Sequence, residues 1–140
     1  GLADGIVEST ESNWRVLAQA WQLAQEDKEA IPALGRAAGL ADDGILNVRL
    51  AQSHQNLAQW QECADAARTG IRKGDLRRVD QANMIMGACL FELGEFDAAR
   101  NAFRTAEKDS RSRVGARSWI RYVDAEESRE RQLEQALRRG

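Results

Sequence analysis

The chain has 140 residues, 43% of them hydrophobic and 30% charged, which is enough for one ordinary domain with a real core. A single Pro, few β-branched residues and an abundance of Ala, Leu, Gln, Glu and Arg exclude a sheet-rich fold and favour helix nearly throughout. The formal charge of -2 exerts no pull toward nucleic acid or an anionic membrane, and no run approaches the ~18 apolar residues of a spanning helix.

Taken in chain order, the first ten residues, "GLADGIVEST", begin without Met and carry Leu2, Ile6 and Val7 with no obvious partner helix. They read as a remnant or linker of a longer chain. Apolar residues at helical spacing then predict helices over 11–25, 28–40, 44–57, 60–72, 79–93, 96–108 and 112–137. Pro32 is expected in the first turn of the second helix, where its missing N–H is tolerated. "GIRKGDLRRVD", residues 70–80, reads as a basic connecting loop whose Arg77 and Arg78 are solvated. In the last helix, Asp124, Glu126, Glu127, Glu130 and Glu134 interleave with arginines. That pattern describes a solvated, ion-paired face rather than a nucleic-acid surface.

The elements repeat. Leu93, Gly94, Phe96, Ala99 and Phe103 fall onto Leu57, Ala58, Trp60, Cys63 and Ala67 at an offset of 36. A further shift of 33 carries Ala51, His54, Cys63 and Ala67 onto Ala18, Trp21, Ala30 and Leu34, while Met86, Gly87 and Leu90 map forward onto Trp119, Ile120 and Val123. Small residues thus stand where two helices would cross: Ala18, Ala51 or Gly87 in the first helix of each unit and Ala30, Cys63 or Ala99 in the second. A mid-helix Gly costs about 1 kcal/mol relative to Ala, so Gly87 needs a packing reason, and the facing Ala99 is expected to supply it. Trp14, Leu17, Trp21, Leu50, Leu57, Trp60, Met86, Leu90, Phe96 and Phe103 are expected to form a continuous core.

On the strength of "NWRVLAQAW", "LAQSHQNLAQWQECADAARTGI" and "MGACLFELGEFDAARNAFRTA", the chain resembles the tetratricopeptide repeat (TPR), a helix-turn-helix unit of 34 residues. The resemblance implies an all-α, right-handed α-solenoid with repeats at 11–43, 44–78 and 79–111. Residues 112–140 would form a C-terminal capping helix whose polar outer face ends the array, with Ile120 standing where earlier units have a small residue.

Candidate chemistry is sparse. Cys63 and Cys89 lack CxxC or Cys/His spacing and are too few for a disulfide framework, so both read as small buried core residues. His54, the only histidine, shares its register with Trp21 and Leu90 and reads as a core or rim residue rather than a general base. No Ser/His/Asp arrangement, phosphate-binding loop or HExxH motif is present. The expectation is a non-enzymatic module without cofactor or metal.

The TPR resemblance implies a concave groove lined by the first helix of each unit. That assigns it Ser12, Arg15, Gln19, Gln22 and Leu23; Ile45, Val48, Gln52, Gln55 and Asn56; and Gln81, Met84, Ala88, Phe91 and Glu92. Side-chain amides suit the backbone of a peptide partner, and Val48, Met84 and Phe91 would form apolar pockets. Arg15, Gln19 and Gln52 do not reproduce the Lys and Asn set with which some relatives grip chaperone C-termini. "AIPALGRAAGLADDG" and "SRSRVGARSWIRYVDAEESRERQLEQAL" further resemble bacterial TPR proteins encoded beside TonB energy-transduction genes, which implies a periplasmic accessory. A cytoplasmic module is the other possibility. A structural scaffold that self-associates through Leu2, Ile6 and Val7 is the alternative to groove binding.

Overall fold

The structure is a computed structural model and describes residues 11–23 and 26–140, with no side-chain description for Trp21, Gln22 and Leu23. The segment 1–10 therefore lies outside the described residues. Among those described, seven helices follow one another: α1 (Glu11–Leu23), α2 (Asp27–Leu40), α3 (Ile45–Asn56), α4 (Trp60–Lys73), α5 (Val79–Glu92), α6 (Phe96–Ala106) and α7 (Arg113–Arg139). Each packs on the next in sequence, and α3 also touches α5. The result is an all-α, TPR-like stack of helix-turn-helix pairs that ends in a long helix.

The turns inside the second and third pairs use the same hydrogen bonds. Gln59 N–H donates to His54 C=O at 2.9 Å and Ala58 N–H to Gln55 C=O at 3.0 Å; Glu95 N–H donates to Leu90 C=O at 2.9 Å and Gly94 N–H to Phe91 C=O at 2.9 Å. This double bond satisfies the last free carbonyls of a helix, and it requires a left-handed residue just beyond the helix end. Gly94 occupies that position at φ 76°, and Ala58 occupies it at φ 58° despite its Cβ. The aligned Gly94 and Ala58 of the repeat are thus one structural position.

Ala18, Ala51, Gly87, Ala30, Cys63 and Ala99 are all buried. The neighbour that makes Gly87 necessary differs from expectation: a Cβ there would stand 2.7 Å from the Phe103 ring, and it is this ring, not Ala99, that lies nearest. A closer crossing went unread in the sequence. A Cβ on Gly44 would meet the Gly70 carbonyl oxygen at 1.9 Å, so the start of α3 rests backbone to backbone on the last turn of α4. Gly44 N–H also donates to Gly74 C=O at 3.0 Å. Lys73 extends this junction, its Nζ donating to the carbonyls of Ala38 at 2.8 Å and Ala41 at 3.2 Å and so capping the negative end of α2.

The core divides in two. One cluster gathers Ala18, Ala30, Ala33, Leu34, Ala37, Ala38 and Leu46, with Trp14 and Leu17 against it. The other surrounds Cys63, Cys89, Leu90, Phe96 and Phe103 and reaches Ala116 and Val123 of α7, with Trp60, Met86 and Ile120 against it. Leu50 packs on both and joins them. Leu57 is not core but 37% exposed, because α3 has already ended and Leu57 begins the turn. The side chain of Trp21 lies outside the described set.

Three further expectations are corrected. Cys63 and Cys89 are buried as foreseen, but they form a disulfide between α4 and α5, with Cα atoms 6.3 Å apart. Their separation of 26 residues has no signature, because it is the packing of α4 on α5, between successive hairpins, that brings them face to face. Pro32 is not in the first turn, since α2 starts at Asp27; it sits on the exposed face of the helix, where its missing N–H removes the bond to the Lys28 carbonyl. Arg78 is not simply solvated; it is part of the site described next.

Candidate functional site

Where α3 and α5 run side by side, their facing residues and the loop before α5 enclose a cleft of about 560 Å³. Four sequence-assigned groove residues, Val48, Gln52, Gln81 and Met84, line it together, and so does Ile45 from the wider set. The amides are exposed while Ile45, Val48 and Met84 are half-buried, giving an apolar floor with polar walls. Arg49, Leu76, Arg77, Arg78 and Ile85 complete the lining and were not assigned to it from sequence. Leu76 and the two arginines come from the loop, which a reading restricted to the first helix of each unit passes over. Their composition, already legible as a basic loop, was the available signal.

Among the described residues no carboxylate lines the cleft, although the chain as a whole is negative. One acid beside it is sequestered. Asp80, 2% exposed in the first turn of α5, accepts Arg78 Nε at 3.0 Å on Oδ1 and Arg78 Nη2 at 2.8 Å on Oδ2; the Ser112 hydroxyl donates to Oδ2 at 2.6 Å. The Arg78 guanidinium holds the Asp80 carboxyl well below the usual carboxylate range, against the opposing cost of burial, and Ser112 adds to its hold. Arg111, bonded to Asp109 at 2.8 Å, approaches Asp80 to 3.9 Å. This network anchors the cationic loop to the turn before α7, so Arg78 is positioned by structure while Arg77 is exposed beside it.

The remaining assigned residues stand apart from this cleft. Arg15 pairs with Glu11 one turn earlier on α1, Gln19 is exposed, and the Gln22 side chain lies outside the described set. Gln55 is half-buried and Asn56 exposed at the far end of α3, where Asn56 Nδ2 donates to Asp27 Oδ2 at 3.1 Å. Phe91 is half-buried in an aromatic group, its ring centroid 5.1 Å from Tyr122, 5.7 Å from Trp119 and 6.0 Å from Phe96. The last helix therefore packs over the side of α5 that was assigned to the third unit's pocket. His54 lies at the rim, half-buried, with Nδ1 2.7 Å from Gln59 Oε1.

Beyond Phe91, α7 carries a shallow apolar trough of about 360 Å³ formed by Ser118, Trp119 and Tyr122. Among the described residues no cluster of three His, Cys, Asp or Glu side chains offers a metal site, and no helix is long and apolar enough to cross a membrane.

No family model and no curated protein matches the chain. Solved structures do. The second TPR domain of human RPAP3, in complex with the HSP70 peptide SGPTIEEVD, superposes with a TM-score of 0.71 at 13% identity, covering 79% of this chain and 92% of that one. A chain from a T3SS complex of Aeromonas hydrophila superposes with a TM-score of 0.74 at 18% identity, covering 91% of this chain and 89% of that one. At these identities the likeness is one of fold, and it agrees with the TPR-like stack described above.

Proposed function

We propose that this chain is a non-catalytic protein-binding module that holds a peptide or protein segment in the cleft between α3 and α5. One observation carries the reading: the Ile45, Val48 and Met84 floor, flanked by Gln52 and Gln81, opens beside arginines with no acid among the described residues of the lining. Such a surface offers apolar contact for side chains, amides for a peptide backbone and cations for carboxylates. The two fold neighbours support it, since one is a complex with a peptide and the other is part of a protein complex.

Selection of displayed random peptides on the wild-type chain, with an Arg77→Glu/Gln81→Glu variant as counter-target, tests this. Both substituted residues are exposed, so the variant should melt as wild type does. Peptides that combine aliphatic and acidic residues, and that lose at least tenfold in affinity on the variant, are the expected result. Binding that is indifferent to the variant would remove the cleft as the site.

Within the same proposal, the buried Cys63–Cys89 bond supports work in an oxidising compartment, because cytosolic thiol systems keep such pairs reduced. A periplasmic accessory of a TonB-type complex is consistent with this and rests otherwise on the sequence resemblance of residues 30–44 and 110–137. Mass spectrometry of the chain recovered from its own cells reads the bond directly, and two free thiols there would remove that support.

A further inference from the structure

Both walls of the α3–α5 cleft are held to α4. The start of α3 rests on its last turns: a Cβ on Gly70 would stand 2.9 Å from Val48 Cγ2 and 3.1 Å from Asn47 Cβ, beside the Gly44 contact described above. Val48 belongs to the cleft floor, so that floor is seated on α4. At its first turn α4 is bonded to α5 through Cys63 and Cys89, and Cys89 follows the cleft-lining Ile85 by about one helical turn. Ala51 of α3 lies in the same buried cluster as the two cysteines, so the bond sits where buried residues of all three helices gather. The α3 wall is packed onto α4, while the α5 wall is both packed and bonded to it.

We propose that the Cys63–Cys89 bond sets the spacing of the cleft walls, so that the hold of the cleft on a peptide depends on the redox state of the chain. The inference rests on the peptide-binding reading above. A dithiol reductant breaks the S–S bond by delivering two electrons and two protons; each sulfur becomes a thiol and the reductant closes to its own disulfide. Two unbonded sulfurs stand at van der Waals separation, wider than any covalent S–S bond, and a close-packed interior has no spare room for the difference. α4 and α5 then part at this crossing, and the α5 wall moves away from the seated α3 wall. Both cysteines are fully buried, so a reductant reaches the bond only through such a parting. The dependence is reciprocal: the factor by which the bond raises peptide affinity is the factor by which bound peptide favours the bond.

The probe is a cysteine-free peptide selected on the oxidised chain and lost on the Arg77→Glu/Gln81→Glu variant. Its affinity is expected to fall at least tenfold for the chain reduced with dithiothreitol and for Cys63→Ala/Cys89→Ala, at a temperature where circular dichroism shows both to be as helical as the oxidised wild type. Val123→Ala, which removes buried volume from α7 and keeps the bond, should bind as wild type does, and this separates the cleft from stability in general. In a dithiothreitol redox buffer, saturating peptide should lower the midpoint potential of the bond by about 30 mV, the same tenfold factor for two electrons. Equal affinity for the oxidised and reduced chains, an unmoved potential, an equal loss in Val123→Ala, or loss of helix on reduction would each overturn the proposal and leave the peptide reading intact. Failure of every peptide to bind the cleft of the oxidised chain would overturn both.

Discussion

The first hairpin and the third solve the same packing problem with different materials. Among the described side chains, α1 and α2 meet through alanines, with Leu34 the largest fully buried one, and Trp14 stays half-buried under the Arg36 guanidinium at 5.6 Å. α5 and α6 instead enclose Phe103, which stacks on Trp119 at 5.1 Å and 10° and is seated over Gly87. A disulfide ties α5 to α4, Asp80 ties its first turn to Arg78 and Ser112, and Arg100 ties α6 to α7. In a stack where each unit touches only its neighbours, stability is set locally. The cleft lies at the boundary, lined by the reinforced α5 on one side and on the other by α3, which shares its buried residues between the two clusters.

Four measurements sharpen or break that contrast. Phe103→Ala should cost about 3–5 kcal/mol by denaturant unfolding, since the ring joins α5, α6 and α7 and the space over Gly87 would be left empty. A loss below about 1 kcal/mol would mean that the aromatic stack does not hold the third hairpin. Replacing Cys63 and Cys89 together by Ala should cost about 2–4 kcal/mol, from the lost constraint on the unfolded chain. Amide exchange should then rise in α4 to α6 and hardly change in α1 and α2; uniform acceleration would show that the two halves unfold as one.

Asp80→Asn should cost about 1.5–3 kcal/mol, the worth of hydrogen bonds to a buried charge. Its pH dependence has a definite sign. Because the folded carboxyl titrates below its ordinary value of about 4, its contribution is fully present above that pH and is lost as the pH falls from there toward the folded value. The wild type should therefore lose stability below about pH 4 more steeply than Asp80→Asn does. Smallest of the four, Ala58→Gly should stabilise by up to about 1 kcal/mol, because it removes the Cβ from a left-handed residue. The reciprocal Gly94→Ala should destabilise the matching turn by a similar amount, and opposite signs at these two aligned positions are the check.

Helix positions were legible because apolar spacing is a local property. The expected 79–93 and 60–72 are observed as Val79–Glu92 and Trp60–Lys73. The repeat offset also carried real structure, since Ala58 and Gly94 share a backbone conformation that no propensity scale would assign to Ala. Of the assigned groove residues, Val48, Gln52, Gln81 and Met84 meet in one cleft because they follow the helical period on two neighbouring helices. Phe91 obeys the same period, and the packing of α7 against it is information that lies some thirty residues further along the chain.

Order along the chain, then, set the helices, their pairing and their small-residue crossings, for these follow from periodicity and from the bulk of each side chain. Only the folded arrangement decided that Cys63 finds Cys89, that Gly44 rests on Gly70, that Arg78 and Ser112 converge on Asp80, and that a basic loop closes one end of the cleft. Each of these joins residues in different helices or loops, where the distance between side chains depends on how whole helices lean together rather than on what any short stretch prefers.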